Sequence, residues 1–574
     1  MECGLVFGYC TPHPALMLGD KYLNLILTGS RALGQADLWM FPLSSARGIS
    51  MTRPMRISRI GGSHFLSFGT KALRNWVLSA LFVAIFGQGL VQSQEKIEAP
   101  ELEGGVAWLN TAKPITLKSL RGKIVLIDFW TLCCINCIHT LPDLAKLEKK
   151  YARELVVIGV HSPKFENEKE TASIRKALLR YEVKHPVVND ANQRIWRTYG
   201  ASGWPSLVLI DPEGNVVAAR SGEGNYDLFD RLISQLVKIH KDKKTLDTKE
   251  FKPELDKEAS PEPLRFPGKV IADPASDRIF IADSTNHRIV ITDLNGKVLD
   301  VAGGNGPGAV NGAFSVASFN DPQGLALYGN QLIVADRKNH SLRSLDLRTK
   351  KVTQLAGTGA QGQDRDGRGK ALEVALNSPW DVLVQGKNLF IALAGHHQIW
   401  KMDLEQQTIA PFAGNGRETL KDGPLPRSSF AQPSALTTDG VTLWVADSET
   451  SSIRSIPMEG IGEVKTIVGL DLFEFGDIDG SGDQVRLQHA LGVTFLDGVL
   501  YVADTYNSKL KTLDPKTRTS KSFLDGFHEP GGIFAASNGK LYVADTNNHQ
   551  IWVVDPKTKD KQKLVIQGLA LPKP

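Results

Sequence analysis

The chain has 574 residues, of which 42% are hydrophobic, and it carries a formal net charge of +5 at neutral pH. This length exceeds that of one ordinary domain and predicts at least two domains with packed cores. The excess charge lies in residues 1–93, which hold eight Lys or Arg and three Asp or Glu, so the rest of the chain is balanced. A neutral body excludes an extended phosphate-binding surface and predicts no nucleic acid partner.

Residues 1–93 are predicted to be a leader. The stretch "NWVLSALFVAIFGQGLVQS" at 75–93 follows two basic residues and combines an apolar run with a small-residue exit. This pattern is typical of a secretory signal peptide. The alternative is an uncleaved membrane tether, for which the apolar run is short. Methionines at 51 and 55 suggest a later start, with residues 1–50 not made. Both interpretations place the body in an extracytoplasmic space, a periplasm or a lumen.

Residues 101–240 alternate predicted strands and helices. Lys123–Trp130 and Glu154–Ser162 are apolar runs of strand length, and Ile138–Tyr151 carries leucines at helical spacing between them. Ser206–Arg220 reads as two further strands around a turn. Strands that alternate with helices predict a layered α/β sheet.

Three of the five cysteines lie in "WTLCCINC", Trp130–Cys137, and the other two lie in the leader. The body therefore has no disulfide framework. Cys134 and Cys137 have C-x-x-C spacing where a strand ends and a helix begins. The positive end of the helix favours a thiolate, which predicts a lowered pKa for Cys134. Asp128, inside the apolar strand, is predicted to be a buried carboxylate that shuttles a proton to or from the second thiol.

The order of these features resembles the thioredoxin fold. Asp128 is followed by the C-x-x-C pair, by Pro142 in the next helix and by Trp204–Pro205 before a strand. "FWTLCCINCIHTLPDL", "HSPKFENE" and "HPVVND" are similar to the branch in which a thioredoxin-like domain is fused to NHL repeats. The resemblance implies catalytic roles for Cys134, Cys137, Asp128 and Pro205. It also implies that Pro205 is a cis-proline and contacts substrate together with Trp204.

The sequence departs from ordinary thioredoxin at three positions. Ile135-Asn136 replaces Gly-Pro and Cys133 replaces Trp, so a reduction potential cannot be transferred from the fold. Cys133 and Cys137 also have C-x-x-x-C spacing, which suits a copper chaperone if a histidine joins them. Candidates for that ligand are His139, His161 and His185. The structural alternative is that Cys133 packs beneath the turn as a small apolar residue.

Residues 241–263 are charged and then proline-rich, which predicts a solvated linker. Residues 264–562 contain a recurring motif, "ADxxNH" between two short apolar runs, that resembles the NHL repeat. Four strands per repeat in six copies predict a six-bladed β-propeller. The first and last copies look complete, so ring closure does not require strand exchange. The copies begin at Arg278, Gln331, Asn388, Thr442, Val499 and Lys540.

An aspartate follows the second strand of nearly every copy, which predicts a turn-forming role rather than catalysis. These are Asp283, Asp336, Asp447, Asp504 and Asp545, with Leu393 in the third copy. The segment Asp477–Asp483 resembles the start of a calcium loop, but its twelfth position is Gln488 instead of Glu. Asn311, Asp366 and Asp422 precede glycine at the corresponding place in other copies, so this segment is predicted to be a turn of the repeat.

Together these patterns predict an exported thiol-disulfide oxidoreductase that acts on protein disulfides or dithiols. The propeller would be a platform that binds the partner. Reduction of substrates would require a membrane-bound electron donor, whereas neither a metal nor another cofactor is required. The alternatives are a copper chaperone that uses Cys133 and Cys137, and a non-catalytic redox-sensing scaffold.

Overall fold

The computed structural model describes residues 96–257 and 260–570, and the predicted leader lies outside them. The first domain contains six strands, β1 (Ala107–Leu109), β2 (Ile124–Trp130), β3 (Leu155–His161), β4 (Val187–Asn189), β5 (Ser206–Ile210) and β6 (Val216–Ser221). They form one sheet in the order β1-β4-β3-β2-β5-β6. β2, β3 and β4 are parallel, whereas β1, β5 and β6 are antiparallel to their neighbours. β2 is central and buried throughout, as its continuous apolar run predicts.

Four helices cover this sheet, α1 (Ile135–Lys150), α2 (Thr171–Tyr181), α3 (Arg194–Thr198) and α4 (Tyr226–Asp242). Alternate residues of β2 face opposite sides. Leu126 packs with Leu144 of α1 and Phe229 of α4, whereas Phe129 packs with Ile195 of α3. The predicted layered α/β fold is confirmed, and it places the cysteine turn at the end of the central strand.

The predicted linker lies along the first domain for part of its length. Lys123 is buried, and its Nζ donates to the carbonyl oxygens of Arg153 at 2.8 Å and Asp247 at 2.9 Å. The N–H of Asp256 donates to Oδ1 of Asn110, and Phe251 packs against the core. The described residues of the predicted solvated linker are exposed or half-buried, and its backbone also supplies acceptors that a buried ammonium group requires.

Six antiparallel sheets follow and form the blades of a propeller. Blade 1 contains β7 (Val270–Asp273), β8 (Arg278–Asp283), β9 (Arg288–Thr292) and β10 (Val298–Gly303). Blade 2 contains β11 (Gly312–Ala313), β12 (Pro322–Tyr328), β13 (Gln331–Asp336), β14 (Ser341–Asp346) and β15 (Lys351–Ala356). Blade 3 contains β16 (Gly369–Lys370), β17 (Pro379–Gln385), β18 (Asn388–Leu393), β19 (Gln398–Asp403) and β20 (Thr408–Ala413).

Blade 4 contains β21 (Gly423–Pro424), β22 (Pro433–Thr438), β23 (Thr442–Asp447), β24 (Ser452–Pro457) and β25 (Glu463–Val468). Blade 5 contains β26 (Gly480–Ser481), β27 (Gly492–Leu496), β28 (Val499–Asp504), β29 (Lys509–Asp514) and β30 (Thr519–Leu524). Blade 6 contains β31 (Pro530–Ala535), β32 (Leu541–Asp545), β33 (Gln550–Val554) and β34 (Lys561–Lys563). The predicted six-bladed propeller is confirmed.

Short 3-10 helices connect the strands of both domains. They are Leu117–Leu120, Asn167–Lys169, Pro274–Ser276, Arg337–Asn339, Leu425–Arg427, Ser448–Thr450, Gly482–Gln484, Thr505–Asn507 and Thr546–Asn548. Among the residues 96–257 and 260–570, no helix is long and apolar enough to cross a membrane.

The recurring aspartates are structural, as predicted. Each accepts a backbone N–H from the segment that leads into its own blade, for example the N–H of Ala431 to Asp447 at 2.7 Å and of Gln488 to Asp504 at 2.7 Å. In blades 2 and 4 the same carboxylate also pairs with a buried arginine. The aspartates therefore hold each incoming segment against the second strand of its blade.

Asp477 and Asp479 form ion pairs with Lys511, so lysine fills the place of the cation that a calcium loop would bind. The predicted turn equivalence holds at Asp479 but is wrong at Asp366, because the matching short strand of blade 3 begins at Gly369. The ring closes where Gln567 exchanges backbone hydrogen bonds with Gly296 and Val298 beside the outer strand of blade 1.

Candidate redox site

Cys134 and Cys137 lie at the start of α1, beyond the end of β2. Cys134 is the N-cap residue, and its Sγ accepts the N–H of Cys137 at 3.2 Å. The thiol of Cys137 donates to Sγ of Cys134 at 2.7 Å. Cys137 is fully buried, whereas Cys134 is partly exposed. This asymmetry suits an outer attacking thiol and an inner resolving thiol.

The expectation of a lowered pKa for Cys134 is wrong in this structure. Burial raises the pKa of Cys134 by more than the hydrogen bonds from Cys137 lower it, and the carboxylates of Glu418 and Glu449 add to the rise. Both glutamates belong to the propeller. Desolvation by a second domain is therefore what the argument from the helix terminus omitted.

Asp128 is the buried carboxylate that the sequence predicts. It is fully buried in β2, and neither oxygen has a hydrogen-bond partner among the described residues. Burial raises the pKa of Asp128 to about 7. Its charge also acts on Cys137, whose own pKa burial raises well above the usual range. Asp128 can thus exchange a proton near neutral pH beside the inner thiol.

Cys133 is held in a polar contact between the domains. Its N–H donates to Oε1 of Glu168 at 3.0 Å, and its thiol lies against the carboxylate of Glu449. Glu168 is fully buried, and its other oxygen accepts the hydroxyl of Thr131 and two backbone N–H groups. Cys133 is buried, as the structural alternative predicts, but it packs against a charged group of the propeller.

The remaining predicted site residues lie on the neighbouring loop. The Trp204–Pro205 peptide bond is cis. Trp204 packs in the same apolar cluster as the three cysteines, its indole N–H donates to the carbonyl of Ser162, and its ring lies 4.8 Å from that of Trp196. The substrate-binding role of Trp204 and Pro205 stays a prediction.

The three histidines considered as copper ligands have other partners or positions. His139 bonds to Glu223 and to Ser378, and His161 accepts the N–H of Leu132. His185 lies 3.5 Å from Glu148. Within the described ranges, no group of three or more His, Cys, Asp or Glu side chains could hold a metal ion.

The propeller has a ring of six equivalent residues, one before the inner strand of each blade, and three of them form hydrogen bonds with the first domain. Each has a left-handed backbone conformation, and five of the six precede a proline. The backbone N–H of each donates to the last residue of the "ADxxNH" motif of the preceding blade, histidine in four blades and serine in two. The ring residues are Phe266, Asp321, Ser378, Gln432, His489 and Glu529.

Gln432 makes the most direct contact with the cysteine turn. Its Oε1 accepts the N–H of Ile135 at 2.8 Å, and its Nε2 donates to the carbonyl oxygen of Cys133 at 2.9 Å. The side chain of Ile135 packs with Trp380 and Leu491 of the propeller. The backbone groups on both sides of Cys134 are thus bonded to one amide of the other domain.

Ion pairs surround this contact. Lys164 pairs with Glu449, and both side chains are buried. Arg180 lies 3.6 Å from Glu529, which also accepts a hydrogen bond from Asn167. Buried charged pairs of this kind are costly to separate, so the interface favours one arrangement of the two domains.

Sequence reasoning missed the ring because each ring residue differs from its counterparts. The available signal was the proline that follows five of them, which is the first residue of the inner strand in four blades. A position that varies between otherwise regular repeats indicates residues that contact another domain or a partner instead of the neighbouring blade.

Comparisons with known proteins agree with the two domains. A thioredoxin-like family model matches residues 122–216, and an NHL repeat model matches residues 319–343 and 527–554. The chain is 43% identical over 496 residues to NHL repeat-containing protein 2 of Homo sapiens, across 78% of this chain and 68% of that protein. It is 41% identical over 484 residues to protein SUPPRESSOR OF QUENCHING 1, chloroplastic, of Arabidopsis thaliana, across 78% of this chain and 46% of that protein.

The first domain also has relatives among redox enzymes. It is 27% identical over 150 residues to thiol-disulfide oxidoreductase ResA of Bacillus cereus, across 26% of this chain and 84% of that protein. The fold and the site therefore define a thioredoxin-like domain, related to thiol-disulfide oxidoreductases, joined to a six-bladed NHL propeller. The chain belongs to the family of NHL repeat-containing protein 2.

Proposed function

We propose that this protein catalyses thiol-disulfide exchange at Cys134 and Cys137 in an extracytoplasmic compartment. The observation that carries the proposal is the placement of a partly exposed Cys134 at the N-terminus of α1, with buried Cys137 against it and unpartnered Asp128 nearby. The kinship with thiol-disulfide oxidoreductases supports the same chemistry.

The reaction begins at the outer sulfur. The thiolate of Cys134 attacks one sulfur of a substrate disulfide, forms a mixed disulfide and expels the other substrate sulfur as a thiolate. Cys137 then passes its proton towards Asp128 and attacks Sγ of Cys134. This step releases the second substrate thiolate and leaves a Cys134–Cys137 disulfide. The substrate gains two electrons, and a membrane-bound dithiol donor would return them to the cysteine pair.

The reverse reaction oxidises a substrate dithiol. The propeller contributes to both directions because it fixes the backbone of the cysteine turn through Gln432. Because the cysteine turn is covered, we propose that a folded protein partner reaches Cys134 only when the domains separate. The partner would then also contact the six ring residues of the propeller.

Equilibrium titration in glutathione and dithiothreitol buffers tests this proposal. Free thiols of the metal-free protein from residue 94 are counted by mass. We expect one reversible two-electron transition that is lost in both Cys134→Ser and Cys137→Ser and kept in Cys133→Ser. We also expect Cys137→Ser to trap partners covalently through Cys134. The absence of a reversible transition in the unaltered protein would overturn the proposal.

A further inference from the structure

A cleft of about 340 Å³ lies between the two domains beside the cysteine turn. We propose that this cleft binds a short cysteine-containing peptide, in its thiol or disulfide form, through the peptide's carboxylate and its N–H groups. The proposal rests on the proposed function, because it names the substrate class that the redox site would take while the domains are docked.

The cleft reaches both elements that would flank a substrate sulfur. Asn136, between the two reactive cysteines, forms one part of its wall. Gly222 and Glu223 form another part, and the N–H of Gly222 donates to the carbonyl oxygen of Pro205 at 2.8 Å. A peptide in the cleft would therefore lie between the cysteine turn and the loop of the cis-proline.

Arg365 is the group that would recognise a carboxylate. It is exposed on the cleft wall, and no ion pair or hydrogen bond of its guanidinium is found in the described part of the chain. Its stem lies across Gly416, where a Cβ atom would come within 2.3 Å of Cδ of Arg365. The glycine thus makes the space that sets the arginine along the cleft. The charge of Arg365 acts on Glu418 of the same wall without a hydrogen bond between them, so its guanidinium N–H groups can bind a ligand carboxylate in bidentate geometry.

Two buried acceptors line the same cleft. Nδ2 of Asn377 and Nε2 of His396 both donate to the carbonyl oxygen of Gly362, at 3.0 and 3.1 Å. These bonds leave Oδ1 of Asn377 and Nδ1 of His396 as acceptors, and neither atom has a partner among the described residues. Burial lowers the pKa of His396 to about 4, which keeps the ring neutral. Unpaired buried acceptors are costly, and peptide N–H groups would satisfy them.

The size of the cleft separates short peptides from folded proteins. Its volume lies near the lower end of the range of about 300–1,000 Å³ for small-molecule sites. The exchange balances with such a ligand alone: one peptide disulfide and the Cys134 and Cys137 thiols give two peptide thiols and the Cys134–Cys137 disulfide. The cleft wall also carries a second arginine, Arg417, and two carboxylates, Glu223 and Glu418. A wall with charges of both signs and two acceptors, next to the cysteine turn, matches a peptide rather than an apolar disulfide.

The first test measures binding without redox chemistry. The probe is S-methylated Gly-Cys-Gly with a free carboxylate, compared with its C-terminal amide, and calorimetry reports the affinity for the full chain. We expect saturable binding of the acid form that weakens about tenfold in Arg365→Gln. The amide should bind the unaltered protein and Arg365→Gln with equal affinity. Without its carboxylate the peptide cannot contact the guanidinium of Arg365, so removing the guanidinium has no further effect.

The matched control is Arg368→Gln, an exposed arginine of the same segment that does not line the cleft. This variant should bind the acid form like the unaltered protein. Absence of saturable binding, or equal weakening in Arg365→Gln and Arg368→Gln, would overturn the proposal.

The second test distinguishes this proposal from the proposed function. The disulfide of Gly-Cys-Gly and bis(2-hydroxyethyl) disulfide are offered to the reduced protein. Arg365→Gln should slow exchange about tenfold with the peptide disulfide only, and equal slowing of both would contradict the cleft. If neither disulfide reacts with the unaltered protein while the S-methylated peptide still binds, the redox function fails and the cleft stands.

Discussion

Asp128 and Asp447 occupy similar positions in the two domains but have opposite surroundings. Both lie in β-strands, both are fully buried, and burial raises the pKa of each, to about 7 for Asp128 and about 6 for Asp447. Asp447 accepts bonds from Ala431, Thr450 and Arg454. Asp128 has no hydrogen-bond partner among the described residues.

The comparison shows that a raised pKa does not by itself identify a reactive group. In the propeller the buried carboxylate recurs in five blades and each one fixes a backbone segment, so its cost is offset by bonds that stabilise the ring. In the first domain Asp128 has no counterpart in a repeat, and neither of its oxygens has a hydrogen-bond partner among the described residues. An unsatisfied buried acid beside a thiol is the stronger indication of chemistry.

The largest expected effect is the loss of a satisfied carboxylate. Asp447→Asn would remove the fully buried charge partner of Arg454 and leave the guanidinium only the more exposed carboxylate of Asp422. We expect the free energy of unfolding to fall by about 3–5 kcal/mol. Urea denaturation followed by tryptophan fluorescence measures this. The rate of thiol-disulfide exchange per folded molecule should not change.

Asp545→Asn provides the matched control for this prediction. Asp545 accepts the N–H of His528 and the indole N–H of Trp552. Unlike Asp447, it forms no ion pair with a lysine or arginine among the described residues. We expect a smaller loss of about 1–2 kcal/mol. Equal losses in the two variants would mean that the buried ion pair is not what makes Asp447 important.

Asp128→Asn should have the opposite effect on stability. The folded-state pKa of Asp128 is about 7, above the usual 3.8. Between about pH 4 and pH 7 the unfolded chain has released this proton and the folded chain still holds it, so the native protein loses stability as the pH rises through this range. The neutral variant avoids that loss. We expect it to be more stable by about 2–4 kcal/mol at pH 8 and no more stable at pH 4.

The same variant should slow thiol-disulfide exchange about tenfold to a hundredfold at pH 7, because Cys137 loses its proton acceptor. Unfolding free energies measured from pH 4 to pH 8 and exchange rates at pH 7 give both values. A stability difference that is constant across pH, or an unchanged exchange rate, would contradict the role of Asp128.

Much of both domains could be predicted from the sequence, because the signals are local. The apolar run of β2 places Asp128 and the cysteine turn, and the repeated strand pairs give the number of blades. The docking could not be predicted, because Gln432 and Ile135 are 297 positions apart and no local periodicity relates them. The prediction of a low pKa for Cys134 was wrong for the same reason. It was based on the helix terminus alone, and the domain that covers Cys134 could not be included.

Gln432→Ala offers the smallest expected effect and tests the docking directly. The change leaves the N–H of Ile135 and the carbonyl of Cys133 without their partner, and we expect docking to weaken by about 1–2 kcal/mol. If the domains open and close rapidly, a bulky maleimide should label Cys134 about 5–30 times faster, in proportion to the open population. Gln406→Ala, an exposed glutamine on the rim of blade 3, should label like the unaltered protein. Unchanged labelling in Gln432→Ala would show that this glutamine does not hold the propeller over the cysteine turn, and the ion pairs of Lys164 and Arg180 would then be what keeps the two domains together.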